Sequence, residues 1–311
     1  MSNVRRPRKG SLQFWPRKRA RRIYPRIRSW VISNEARLQG FAGYKVGMTH
    51  VQAIDNSGSI TKGMIINIPV TIIECPPILV FALRFYNNTN QGLKLVGDIY
   101  NEKLDKNLSR KINLPKIKKA IPPGYNEIRA LIYTQPHLTR IGKKKSEIFE
   151  IKLGNPDLEY AKSLFNKHIN IQDVFKEGQL VDIHAVTKGK GFQGQIKRFG
   201  LKLKQHKSEK KKRSAGNLGP WTPSKVKFTV PQPGQMGYHT RTEYNKQIIK
   251  IGIKEDWKDH KSGFNNYGII QNDYILIKGS ITGSKKRLIQ IIDPLRKKNI
   301  AKPTIQYIHQ K

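Results

Sequence analysis

Cysteine is almost missing from this chain. Cys75 is the single one among 311 residues, so neither an internal disulfide nor a cysteine metal cluster is available, and a reducing compartment fits best. Acid is scarce too. Asp and Glu number 21 against 60 Lys and Arg, a formal net charge of +39. Such an excess repels itself and opposes compaction unless a polyanion neutralises it. One charge run usually marks a solvated face, but this imbalance runs through most of the chain. Membrane surface, DNA and RNA are the candidate polyanions. Long apolar runs are absent as well. The most apolar stretch, 63–85, is interrupted by Asn67, Pro69, Glu74, Pro76 and Pro77, which leaves nothing like the roughly 20 apolar residues of a membrane span. The N-terminus has no apolar signal core, and Pro7, Pro16 and Pro25 would break the amphipathic helix of an organellar presequence. No membrane partner is expected. Hydrophobic residues make up 37%, below the usual globular share, so part of the chain is expected to lack a core of its own.

What is present is unevenly placed. Residues 1–37 read as a basic N-terminal extension, with eleven Lys/Arg and no acid before Trp30. Arg17, Lys18, Arg19, Arg21, Arg22, Arg26 and Arg28 can neutralise phosphates. Phe14, Trp15, Tyr24 and Trp30, interleaved with them, offer faces for bases or grooves. Such a segment is expected to be disordered alone and ordered on a polyanion.

The middle of the chain has strand character. GYKVGMTHVQAID, the turn Asn56-Ser57-Gly58, ITKGMIINIPVTIIEC and ILVFALRFY (78–86) are rich in β-branched residues and bounded by breakers. LVDIHAVTKG (180–189), IIKIG (248–252), YGIIQNDYILIKG (267–279) and LIQIID (288–293) resume the pattern. Short strands at this spacing suit a small barrel or sandwich over 38–95 and 178–295. Residues 96–177 differ, holding ten of the 21 acids. IRALIYTQP (128–136) and EIFEIKLG (147–154) read as strands. Asn155-Pro156-Asp157 starts a helix with Leu158, Ala161, Leu164, Phe165 and His168 on one face. The expected fold is therefore mainly β with an α/β insertion at 96–177, on which KIKKAIPPGYN (116–126) is a basic loop. The basic C-terminal tail, 296–311, is expected to run over the surface.

A second basic stretch, 188–247, lies inside the barrel segment. From Lys188 to Gly252 sixteen Lys/Arg oppose only Glu209 and Glu243. An irregular loop this long in a compact domain is usually functional. Lys188, Lys190, Lys197, Arg198, Lys202, Lys204, Lys207, Lys210, Lys211, Lys212, Arg213, Lys225 and Arg241 are candidate RNA contacts, as is His239 beside Tyr238. Its many glycines permit close backbone approach to phosphate. Gly189-x-Gly191-x-x-Gly194 matches the dinucleotide fingerprint only in letters. Lys188 and Lys190 interrupt it, no long apolar helix follows, and Gly194 precedes Gln195, so it is not a P-loop either. Trp221 sits in the rigid turn Gly219-Pro220-Trp221-Thr222-Pro223. It either packs on the barrel or forms an aromatic tip pressed into RNA.

An RNA-modifying enzyme would need converging acids, bases or metal ligands. Acids are sparse where the basic surface is densest, and His50, His137, His168, His184, His206, His239, His260 and His309 show no paired ligand spacing. His184 reads as a core or edge residue. A DNA-architectural protein could carry the same charge, but the long irregular loop favours folded RNA over a regular duplex. No catalytic residue, metal, cofactor or small-molecule substrate is expected, and no homo-oligomer.

Five segments carry a resemblance. AGYKVGMTHV, ECPPILVFALRFY, VTKGKGFQGQIKRFG, GNLGPWTPSKV and GQMGYHTRTEYNKQI resemble, in order, the universal L-three family of large ribosomal subunit proteins. The arm GSLQFWPRKRARRIYPRIRSW and the wording GNLGPW resemble its archaeal and eukaryotic branch, and the length its archaeal members. The region after 252 has no motif that matches as firmly. The resemblance implies a translation-factor-like β-barrel with an α/β insertion, and long extensions reaching into 23S-type rRNA. It implies a tip near the peptidyl transferase region, here Trp221. The basic arm before the tip carries over as Lys197 to Arg213 and the N-terminal extension as Ser2 to Arg37. It further implies an early role in subunit assembly, an indirect influence on peptidyl transfer, neighbouring ribosomal proteins as partners, and a cytoplasmic location. Eukaryotic members carry a modified histidine in this arm. The register of His206 does not match it, so the modification is not carried over.

Overall fold

The computed structural model describes residues 9–103, 105–113, 121–205, 207, 211–257, 262–296 and 298–310. The chain divides into two compact units. A basic unit comprises Met1–Arg22 and Val186–Thr240, and a larger body comprises Ile23–Ala185 and Arg241–Lys311.

In chain order the strands and helices are β1 (Gly40–Ile54), β2 (Ile65–Glu74), β3 (Leu79–Thr89), β4 (Gly92–Tyr100), β5 (Glu127–Tyr133), β6 (Ile148–Lys152), α1 (Leu158–Ser163), β7 (Leu180–Val186), β8 (Phe192–Gln193), α2 (Gln195–Phe199), β9 (Gly234–Gln235), β10 (Thr240–Gly252), β11 (Tyr274–Lys278), β12 (Leu288–Ile292) and β13 (Thr304–Ile308). No helix is long and apolar enough to cross a membrane among the described residues.

The fold is mainly β. In the body, hydrogen bonding runs β12-β7-β10-β11-β2-β1 and returns from β1 to β12. Six strands thus close on themselves, which removes the free edges that would invite aggregation. β1 serves three neighbours because it is long. Residues 40–44 pair with β12, 44–54 with β2 and 51–54 with β13. The interior is filled by branched aliphatics, including Val46, Val70, Ile72, Ile183, Ile248, Ile275, Ile277, Ile289 and Ile291, all essentially inaccessible. Gly43 lets β1 approach β2 closely. A Cβ there would lie 2.6 Å from Ile73 Cγ2 and 2.7 Å from the Glu74 carbonyl oxygen.

A separate antiparallel sheet has the order β4-β3-β5-β6. One face joins the main core beneath α1, through Leu83, Phe85, Ile128, Ile132, Ala161 and Leu164. The other buries Phe81, Leu131 and Tyr133 around Leu108. Burial on both faces explains why β3 and β5 read as near-continuous apolar runs. The body also consumes its acids internally. Arg84 is held between Asp98 (2.8 Å) and Glu150 (2.7 Å), and Arg129 between Glu127 (2.6 Å) and Glu150 (3.2 Å). Hydrogen bonding to Asp98 contributes most to raising the Arg84 guanidinium above its usual pKa.

Four details differ from the sequence reading. Residues 78–86 were expected in the barrel, but β3 pairs with β4 and β5 in the second sheet. The helix is shorter than expected, and its cap is Asp157, whose side chain accepts from the Glu159 N–H. Asn155 and Pro156 therefore precede it, and Phe165 and His168 lie beyond it. The C-terminal tail does not simply run over the surface, because β13 pairs with β1. The arm is not uniform either. Tyr24 and Ile27 are buried, Trp30 packs on the core, and the Tyr24 ring lies 6.3 Å from that of Phe149. From Ile23 onward the arm belongs to the body. Arg26 and Arg28 are exposed there. Of the expected basic loop 116–126, residues 116–120, which hold its lysines, lie outside the described residues.

Candidate nucleic-acid interface

The basic unit holds 22 Lys/Arg and one acid, Glu209, so it carries +21 of the chain's +39. Glu209 lies outside the described residues, which leaves no carboxylate among those described in this unit. All the ion pairs described above lie in the body.

A two-stranded ribbon runs through the unit. The Thr187 N–H donates to the His239 carbonyl (2.9 Å), Lys190 N–H to Met236 (2.9 Å) and Met236 N–H to Gly191 (2.9 Å). β8 then pairs with β9. Gly237, at φ +70°, allows the close pass, since a Cβ would sit 2.1 Å from the Lys188 carbonyl oxygen. α2 follows β8 and stops at Gly200, in the left-handed region at φ +67°.

The N-terminal arm docks along this ribbon. The Ala20 N–H donates to the Tyr238 carbonyl (2.8 Å). His239 Nδ1 lies 2.8 Å from the Lys18 carbonyl oxygen. A carbonyl only accepts, so Nδ1 carries the proton. Arg17 stacks over Phe199 (4.5 Å) and Trp15 (5.3 Å), and Trp15 meets Phe199 (5.6 Å) and Phe228 (6.2 Å). Arg198 donates to the carbonyls of Gln232 (2.8 Å) and Gln235 (3.1 Å). Burial, and then the neighbouring Arg17, lower its pKa, though a guanidinium stays charged. Phe199→Ala would delete the ring that Arg17 and Trp15 share. Amide exchange at Ala20 should then rise about tenfold, given roughly 0.5–2 kcal/mol for each such contact. Unchanged exchange would place the arm's anchor elsewhere.

The candidate contacts thus divide. Lys18, Arg19, Arg21, Arg22, Lys188, Lys190, Lys197, Lys202, Lys207, Lys211, Lys212, Arg213 and Lys225 are exposed. Arg17, Arg198 and Lys204 are half-buried in the same unit, as is Arg241 in the body. Lys210 and His206 lie outside the described residues. His239, expected as an RNA contact, is buried with 8% exposure. The ribbon turns its ring inward onto the arm, so it positions Lys18 instead of meeting solvent. Trp221 is the opposite case. It is 93% exposed, at the end of a turn closed by Gly219 N–H on Asn217 Oδ1 (2.9 Å) and by Ser224 Oγ on the Trp221 carbonyl (3.1 Å). Neighbouring Gly219, Pro220, Thr222 and Pro223 are exposed as well.

A family described as ribosomal protein L3 matches residues 1–127 and 121–308. The chain belongs to the ribosomal protein L3 family. The large ribosomal subunit protein uL3 of Archaeoglobus fulgidus is 47% identical over 305 residues, covering 94% of this chain and 92% of that protein. That of Methanocaldococcus jannaschii is 47% identical over 324 residues, covering 98% and 97%. That of Methanosphaera stadtmanae is 46% identical, covering 99% and 98%. All three are archaeal, in line with the branch expected from the arm.

Within this L3-family chain, Trp15, Phe199, Phe228 and Tyr238 do work that charge reasoning missed. They hold the arm to the ribbon. For Trp15 and Phe199 the available signal was a nearby arginine, as in Trp15-Pro16-Arg17 and Arg198-Phe199, since guanidinium planes stack on aromatic faces; Phe228 and Tyr238 carry no such mark.

Proposed function

We propose that this chain is a structural, non-enzymatic protein of the archaeal large ribosomal subunit that braces 23S-type rRNA. Its basic unit is the part embedded in RNA, and Trp221 is the tip that approaches the peptidyl transferase region. Binding early in assembly follows, because a protein threaded through RNA is more easily enclosed than inserted. The observation that carries the reading is the separation of charge. In the body, acids such as Asp98, Glu127, Glu147, Glu150 and Glu177 pair with cations, while the basic unit presents exposed cations with no carboxylate among its described residues. Phe192 (76% exposed), Trp221 (93%) and Phe228 (71%) interleave with those cations. Exposed aromatics among phosphate-neutralising side chains are what folded RNA accommodates and water does not. General acid–base chemistry on RNA needs a positioned proton carrier, and His239, buried against Lys18, is not open to substrate.

Trp221→Ala tests the tip. Its ring touches no core, so unfolding of the body should change by no more than about 0.5 kcal/mol. Chemical reactivity of the peptidyl transferase nucleotides should change in mutant subunits. Reactivities identical to wild type would remove Trp221 from that region. Failure of the wild-type chain to co-sediment with large subunits would overturn the ribosomal reading itself.

A further inference from the structure

The basic unit contains a concave niche of about 460 Å³. This falls within the roughly 300–1,000 Å³ of small-ligand sites. Leu201, Ala215, Val230 and Pro231 contribute to its lining, and each is half-buried. Lys202 and Lys204 also line it. The Lys204 N–H donates to the Lys212 carbonyl (3.2 Å), which links two of the lining segments, and the Val230 N–H donates to that of Lys227 (3.1 Å), a local turn in the third.

We propose that this niche receives one nucleotide of the bound rRNA, extruded from its stack. The inference rests on the rRNA-binding reading above and adds a site to it. Ser214 and Thr229 line the niche as well. Aliphatic side chains beside lysines make two demands. They want a flat, weakly hydrated body, and they want that body attached to negative charge. A nucleotide meets both, with its base on the aliphatic side chains and its phosphates at Lys202 and Lys204. An apolar peptide would satisfy only the first demand, and a free phosphate only the second. Asn217, also in the lining, adds one directed group. Its Oδ1 is taken by the Gly219 N–H, which leaves the amide Nδ2 as a donor. Every base carries ring-nitrogen or carbonyl acceptors, so this donor suits any of them. The niche selects an unstacked base by shape and charge, and not by sequence.

The test uses the full chain and large-subunit rRNA transcribed from the same genome. Ala215→Leu intrudes on the niche without altering charge, and Ala215→Ser keeps it open at nearly the same size. Ala215→Leu should weaken binding about tenfold, the scale of one lost base-packing contact. It should leave the salt dependence unchanged, and one nucleotide should lose its protection in chemical probing. Ala215→Ser should bind like wild type. Photo-crosslinking of 4-thiouridine-substituted rRNA should map to 201–231 in wild type and fade in Ala215→Leu. Equal affinity and identical footprints for all three proteins would overturn the niche while leaving rRNA binding intact. Loss of binding in Ala215→Ser as well would also overturn it, by showing that the site tolerates no change whatever its volume. A wild-type chain that does not bind the rRNA would overturn both readings.

Discussion

Affinity for large-subunit rRNA should fall about a thousandfold to a hundred-thousandfold as salt rises from roughly 50 to 200 mM. This is the expectation if six to ten phosphates are neutralised, each contributing about −0.7 to −0.9 to the log–log slope. The basic unit has the cations to do it. Arg17 and Arg198 are engaged with aromatic rings and carbonyls. Lys18, Arg19, Arg21, Arg22, Lys188, Lys190, Lys197, Lys202, Lys207, Lys211, Lys212, Arg213 and Lys225 are exposed. Replacing Lys188, Lys190 and Lys197 by Gln should reduce the slope by about two to three. The same number of substitutions in the body, at Lys143, Lys152 and Lys302, should hardly move it, because those lysines already pair with Glu147, Glu127 and Glu177. A slope near zero for the wild-type chain would sink electrostatic bracing. A slope that responds equally to both sets would move the interface off the basic unit.

Why charge was legible, and its geometry was not, follows from what each depends on. The absence of acid from 188–208 is a property of the residues alone. The barrel strands were legible for a similar reason, since Val and Ile runs bounded by Gly, Asn and Pro mark themselves. The exposure of Trp221 was half legible, because Gly-Pro-Trp-Thr-Pro specifies a rigid turn but not what lies beside it. Pairing across the chain left no such mark. Thr304–Ile308 becomes a strand because the outer half of β1 offers it hydrogen-bonding groups, some 250 positions away in sequence. Tyr24 and Ile27 sit among arginines like any arm residues, and only the surface they meet makes them core. His239 illustrates the hazard of neighbours. Beside Tyr238 and Arg241 it looked like a contact, but ribbon register decides which side chain turns inward.

Glu74→Ala should destabilise the body by about 3–5 kcal/mol, the scale for stripping one partner from a buried charged network. Glu74 is fully buried at the end of β2. Its Oε1 accepts from the N–H groups of Gln271 (2.8 Å) and Asn272 (3.0 Å) and from Asn272 Nδ2 (2.8 Å), and its Oε2 from Tyr267 Oη (2.5 Å). Burial, and then the nearby Glu74 carboxylate, push the Tyr267 hydroxyl well above its usual pKa, so it remains a donor. The network has a topological task. The barrel joins β2 to β11 with nearly two hundred residues between them, and Glu74 sits opposite Tyr274 in that ladder. By gathering the donors of 271–272, the carboxylate fixes the entry of β11 onto β2. Asn272 Nδ2 also donates to the Leu138 carbonyl (3.0 Å), which ties in the loop after β5. Alanine would leave these donors without acceptors, each costing about 1–3 kcal/mol. Glu74→Gln keeps Oε1 and turns Oε2 into a donor that faces Tyr267, so its loss should be smaller, about 1–2 kcal/mol. Fluorescence of Trp257, buried beside Phe264 and Tyr274, can follow unfolding of the body. For a unit of this size the alanine variant should melt roughly 6–20 °C lower. An alanine variant within about 1 kcal/mol of wild type would show that apolar burial alone closes the barrel.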